Sequence, residues 1–250
     1  MRWLCFLLAP NALAQAPRPP VKPLRYDLTA LPVTRDSFVF RVRGAVRGWA
    51  VWQYEVKSAE TGQQVVFTAA SELEPADSEH LRVVADRLTG APLSLFHHVE
   101  AFAPQNDTVM VEHDLDVKDG RVEGRRRAAG RKSGVTIAPI HVQLPAGVAW
   151  SNYQWFAAPG LTMSAGDTLV GRGYTEFGDS VETYRVVAEA LRTIQVPAGQ
   201  FAVLPLVTGG LRLYVSRTAP RRVVKGETPD GAFTFELVHS GPPVTLQTER

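Results

Sequence analysis

Thr193-Ile194-Gln195-Val196-Pro197-Ala198-Gly199-Gln200-Phe201-Ala202-Val203-Leu204 reads as a strand, a tight turn and a second strand. Apolar side chains alternate on both sides of Pro197-Ala198-Gly199. Proline holds φ near the value that the second position of a turn requires, and glycine takes the positive φ that closes the turn with a bulge. The same pattern repeats on either side of this hairpin. Strands are expected over 167–174, 180–188, 201–208, 211–216, 221–225 and 232–239. Turn signals separate them at Gly178-Asp179, Gly209-Gly210, Ala219-Pro220 and Asp230-Gly231.

The first half follows the same rule. Phe38, Phe40 and Val42 alternate with Val39, Arg41 and Arg43. Trp52, Tyr54 and Val56 share one side of their run, with Gln53 and Glu55 on the other. Val109, Val111, His113, Leu115 and Val117 share a face, and Lys118-Asp119-Gly120-Arg121 is a two-residue hairpin signal. The basic segment 130–134 reads as loose. Residues 145–166 place Trp150, Tyr153, Trp155 and Phe156 among Pro and Gly, as in a long aromatic connection packed against a sheet. The short helix candidates, 76–81 and 187–191, fit strands nearly as well. The expected fold is therefore all-β, with about a dozen strands and little helix: a sandwich of two packed sheets, an open or closed barrel, or one large, strongly curved antiparallel sheet.

With 250 residues, 45% of them apolar, the chain can bury a sizeable core. Residues 37–250 are expected to form a single antiparallel β domain. The net charge of +2, from 27 basic and 25 acidic residues, argues against a general nucleic-acid binder. Residues 1–16 read as a signal peptide: Arg2, the apolar run 3–8, and small-x-small cleavage patterns ending at Ala14 or Ala16. A greasy N-terminal strand is the alternative. The expectation is export to the periplasm or beyond. Residues 17–36 hold five prolines and read as a tether or loose arm. No later stretch is long and apolar enough for a membrane-spanning helix. The single cysteine, Cys5, lies inside the signal, so disulfide, thiolate-metal and cysteine-nucleophile chemistry are not expected.

Several motifs in the second half occur in a recognisable order. Glu182-Thr183-Tyr184-Arg185-Val186-Val187 comes first, then Val196-Pro197-Ala198-Gly199-Gln200-Phe201. Leu213-Tyr214-Val215-Ser216 and Ala219-Pro220-Arg221-Arg222-Val223 follow. This succession resembles a bacterial exported family of unknown function, similar in architecture to lipoprotein carriers of the LolA/LolB type. The resemblance covers roughly 167–240 and consists of turns and strand ends. It implies a curved sheet around an apolar cavity and no catalytic residue. The chain departs from the anchored LolB type in having no lipid-attachment cysteine.

Candidate chemistry is sparse. His97-His98 with Glu100, and Glu112-His113-Asp114, are the histidine and carboxylate clusters. Strand alternation sends His97 and His98 to opposite faces, so they cannot ligate one metal together. No metal site, cofactor, nucleophile elbow or phosphate-binding loop is expected. Trp52, Tyr54, Trp150 and Trp155 are the candidate walls of a ligand cavity. Arg125, Arg126 and Arg127 are its candidate basic rim, or simply a solvated hairpin. The favoured reading is non-enzymatic binding of a lipid, a lipoprotein acyl chain or another apolar ligand. A cell-envelope scaffold with a protein partner is the alternative. A hydrolase with a triad assembled from distant residues is the third reading.

Overall fold

A computed structural model describes residues 22–60, 62–74, 77–101 and 108–243. The first half is a meander of long strands. After the short β1 (Lys22–Pro23) come β2 (Arg35–Val42), β3 (Ala45–Ala59), β4 (Gly62–Leu73), β5 (Asp77–Asp86), β6 (Pro92–Ala101), β7 (Thr108–Lys118), β8 (Arg121–Gly130) and β9 (Gly134–Gln143). The connection that follows carries β10 (Ala149–Trp150), one turn of α-helix, α1 (Tyr153–Phe156), and a 3-10 turn over Ala158–Gly160. The second half holds β11 (Thr168–Thr175), β12 (Ser180–Ala188), β13 (Arg192–Val196), β14 (Gly199–Thr208), β15 (Leu211–Ser216), β16 (Val223–Glu227) and β17 (Phe233–Gly241).

All 17 strands among the described residues belong to one sheet. Strands β2 to β9 pair antiparallel in chain order. In the second half β11 pairs β12, the end of β12 pairs β14, and β13 to β17 pair antiparallel in chain order. The halves join where β17 pairs antiparallel with β2, Phe235 opposite Phe40 and Leu237 opposite Phe38. The sheet does not close. Strand β9 forms one edge, and β1 and β10 run parallel to β11 at the other. The all-β expectation with little helix holds, although the strands outnumber the expected dozen. Both short helix candidates lie within or beside strands: 77–81 in β5 and 187–188 in β12.

The turns follow their chemistry. Val196 pairs with Gly199 across Pro197-Ala198, and Gly199 sits at φ +129°, where a side chain would be strained. Lys118 pairs with Arg121 across Asp119 and Gly120, both at positive φ, as a type I′ hairpin requires. The segment expected to be loose, 130–134, is instead the tight β8–β9 connection, with Gly130 paired to Gly134.

Period-two alternation sets the core. Tyr54, Phe67, Val83, Leu95 and Leu115 lie opposite one another across β3 to β7, and all are buried. They pack with Trp150, Tyr153, Phe156 and Tyr174. A second cluster is built on Phe38, Leu161, Val186, Leu204, Leu213 and Leu237. Trp52 and Tyr26 pack against both clusters. The sheet thus wraps its inner face around the connection 149–161. Each such side chain, once fully buried, contributes about 1.5–3 kcal/mol.

Residues 22–36 differ from the loose arm expected of their prolines. Leu24 donates its amide to the Val170 carbonyl, and Asp27 donates its amide to that of Gly160. Leu28 and Leu31 are buried in the core. Alternating apolar residues outweigh the proline content here, and the packed domain begins well before residue 37. The expected signal, residues 1–16, lies outside the described residues.

Candidate functional site: an aromatic cavity beside a buried histidine–glutamate cluster

The inner face carries two different features. The first is a cavity of about 350 Å³, within the roughly 300–1,000 Å³ range of small-molecule pockets. Strands β2 to β6, β15 and β17 and the α1 turn supply its walls, including Phe40, Trp52, Phe67, Trp155, Phe156, Phe233 and Phe235. The aromatic rings hold one another in place. Trp52 lies 4.8 Å from Phe38, 5.5 Å from Phe235 and 5.8 Å from Phe67, and Phe67 stacks on Phe156 at 4.5 Å. These separations are those of favourable ring pairs. Gly226 keeps Phe235 in position: a Cβ there would stand 2.1 Å from the Phe235 ring. Glycine on β16 therefore lets that ring lie flat over the strand.

The four aromatic residues singled out from the sequence divide evenly. Trp52 and Trp155 line the cavity, and Trp155 is partly exposed. Tyr54 and Trp150 do not line it. Tyr54 is buried, and its hydroxyl donates to the Phe156 carbonyl at 2.9 Å. Trp150 is fully buried edge-on to Tyr174. Both fill the core beneath the cavity.

The three arginines do not form a cavity rim, because alternation separates them. Arg125 and Arg127 point away from the inner face, opposite Asp114 and Glu112, and Arg125 forms an exposed pair with Asp114 at 3.4 Å. Arg126 falls on the inner face opposite His113. None of the three lines the cavity.

The second feature lies beside the cavity. The turn between β11 and β12 reaches over the inner face of β5 to β7 and inserts Glu176. His97 is buried between two carboxylates, with Nδ1 2.6 Å from Glu176 and Nε2 2.8 Å from Glu79. Ionised carboxylates only accept, so bonding two of them requires both ring N–H groups of an imidazolium. Burial opposes that charge, but the hydrogen bonds and attraction of Glu176 and Glu79 outweigh it and raise the His97 pKa to about 9. Glu176 is itself buried. Desolvation pushes its pKa up, but the bond and charge of His97 prevail and hold it below the ordinary value. His113, directly opposite His97 on β7, is also buried. Burial, with the positive charges of His97 and Arg126, lowers its pKa to about 4 despite the opposing charge of Glu176. Phe177 packs edge-on to both imidazoles, at 5.1 and 5.2 Å. His98 takes the opposite face, between Glu100 and Glu112. No group among the described residues has the arrangement of a metal site.

Sequence reasoning separated His97 from His98 and put His113 on an apolar strand face, but it did not bring His97 and His113 together or find Glu79 and Glu176. The available signal was a pair of histidines on an apolar strand face, which demands buried polar partners.

No family model matches the sequence, and neither does any curated protein. The sheet does have counterparts among solved structures. A β-barrel-like protein from Brucella abortus, of the domain of unknown function DUF1849, shares this fold. It superposes with a TM-score of 0.51 at 12% identity, over 86% of this chain and 99% of its own. A Bacteroides fragilis protein with a YmcC-like fold aligns over 88% of this chain and 98% of its own, with a TM-score of 0.31 at 11% identity. The first likeness agrees with the expected all-β domain of unknown function. At such identity it speaks for fold alone, and the LolA/LolB likeness rests on the sequence motifs.

Proposed function

We propose that this is a non-enzymatic, exported β protein that binds an apolar ligand, a lipid or a protein-borne acyl chain, in the hollow of its sheet. The observation that carries this reading is the aromatic cavity of about 350 Å³. Burying an acyl chain there would gain roughly 25 cal/mol per Å² of apolar surface removed from water. The signal-like segment 1–16, cleaved near Ala14 or Ala16, supports delivery to the periplasm or beyond. A hydrolase triad would have to use a histidine other than His97, both of whose ring nitrogens are committed to carboxylates. Native mass spectrometry of the mature chain, purified gently from its own envelope and followed by lipid extraction, tests the proposal. A co-purifying acyl lipid or lipopeptide is expected. A clean apo mass, with no uptake of a fluorescent fatty-acid analogue or a neutral alkyl probe, would overturn it.

One observation favours the scaffold reading as a second possibility. Among the described residues, edge strand β9 pairs on one side only, with β8, and exposes Val135 and Ile137. Such an edge can accept a strand from an envelope partner. Replacing an edge residue with proline should abolish capture of that partner without changing ligand uptake.

A further inference from the structure

The charge around the cavity points to a class of ligand, a step that rests on the apolar-cavity reading above. Among the described lining residues the only charged side chains are two carboxylates, Asp77 and Glu79. Asp77 is exposed and Glu79 is about one-third exposed, with 35% of its side chain accessible. Both therefore stand where the cavity meets solvent. The remaining polar lining is neutral: Ser71, Ser78 and Asn152.

The charges behind this edge do not cancel it. The His97 imidazolium lies between Glu79 and Glu176, so one cation faces two carboxylates and one negative charge is left over. Asp77 adds a second. Arg126, on the same face, stands three strands along from Leu81 in the row Leu81, His97, His113, Arg126. That is about 14 Å at the usual strand spacing. An anionic head group at the cavity edge would meet like charge. A cation would meet two acceptors.

We propose that the cavity takes a single-chain amphiphile with a cationic amine head. The chain lies among Trp52, Phe67, Phe156 and Phe235, and the ammonium group donates to Asp77 and Glu79. An ammonium group suits this edge because it offers three donors and no acceptor. Its compact charge complements Asp77 and Glu79, since no basic side chain stands in the described lining and Glu79 shares its imidazolium partner, His97, with Glu176.

Isothermal titration calorimetry with decylamine, 1-decanol and decanoic acid, each below its solubility limit and the two ionic probes below their micelle concentrations, near neutral pH and at low salt, tests the assignment. The three probes share a chain and differ in head charge. The expected order is amine, then alcohol, then acid, with about tenfold between the amine and the acid. About 0.5 M salt should narrow the gap, since exposed charges are screened. Asp77→Asn, at an exposed position that the fold tolerates, should cut the amine-over-acid ratio several-fold and leave 1-decanol unchanged. Adding Glu79→Gln should remove the preference. Decanoic acid binding as tightly as decylamine, or a ratio that both substitutions leave intact, would overturn the amine assignment while the apolar-cavity reading stands. Failure of all three probes to bind would overturn that reading and the assignment with it.

Discussion

Two neighbouring regions of the same sheet face are built on opposite principles. At one, rings from β2, β3, β4, β17 and the α1 turn surround a hollow and leave it unfilled. At the other, the turn after β11 fills the surface with a buried ionic cluster, Glu176 against His97. The difference shows that strand alternation determines which face a residue joins, but not what covers that face. Coverage depends on contacts between residues far apart in the chain: His97 and Glu176 are 79 positions apart. The cluster should therefore be costly to disturb, and the cavity should be tolerant.

The largest expected effect is at the cluster. Glu176→Gln leaves a buried imidazolium short of one partner, which should cost about 3–5 kcal/mol, measured by urea unfolding. A loss below about 1 kcal/mol would mean that the pair does not hold the turn in place.

The pH dependence comes next. His97 is more basic folded than unfolded, about 9 against 6.5. Its contribution is complete below pH 6.5 and is lost as pH rises through 9, an effect of about 3 kcal/mol. His113 has the opposite sign. Its folded pKa of about 4 against 6.5 makes stability fall as pH drops from 6.5 toward 4. The Glu176 carboxyl, held low, loses its contribution on further acidification. Thermal melts from pH 4 to 10 should show a maximum near pH 6.5, and Glu176→Gln should flatten the alkaline limb. A wild-type profile flat between pH 6.5 and 9 would contradict the imidazolium assignment.

Gly226→Ala tests the wall of the cavity. The new methyl group collides with the Phe235 ring and should drive it toward the hollow, at about 1–3 kcal/mol. Affinity for an alkyl probe should fall with it. The smallest effect belongs to the outward-facing arginines. Arg125→Ala removes an exposed pair and should change stability by less than about 0.5 kcal/mol, with ligand uptake unaffected.

The contrast also explains how far the sequence could be read. Hairpins declared by Pro197-Ala198-Gly199 and Asp119-Gly120 were legible because turn chemistry is local. The faces of β3 and β7 were legible because alternation has a fixed period. Trp52 was correctly placed on the inner side for that reason. Tyr54 shares its face, but only the distant Phe156 carbonyl makes it core rather than wall. The arginine run looked like one patch because the eye joins adjacent residues, whereas the pleat divides them. Residues 22–36 looked loose because proline content hides the burial of Leu28 and Leu31. Glu79 and Glu176 could not be paired with His97 before the fold brought β5, β6 and the β11–β12 turn together.

The central claim is that the hollow beside Trp52 receives an apolar chain. The most direct test is calorimetric titration of 1-decanol, which carries no charge, into the wild type and Ala69→Phe. Ala69 lines the cavity opposite Trp52, so the larger ring fills the space. The account predicts saturable one-to-one binding to the wild type and its loss in the folded variant. No binding to the wild type, or equal binding to both, would contradict it.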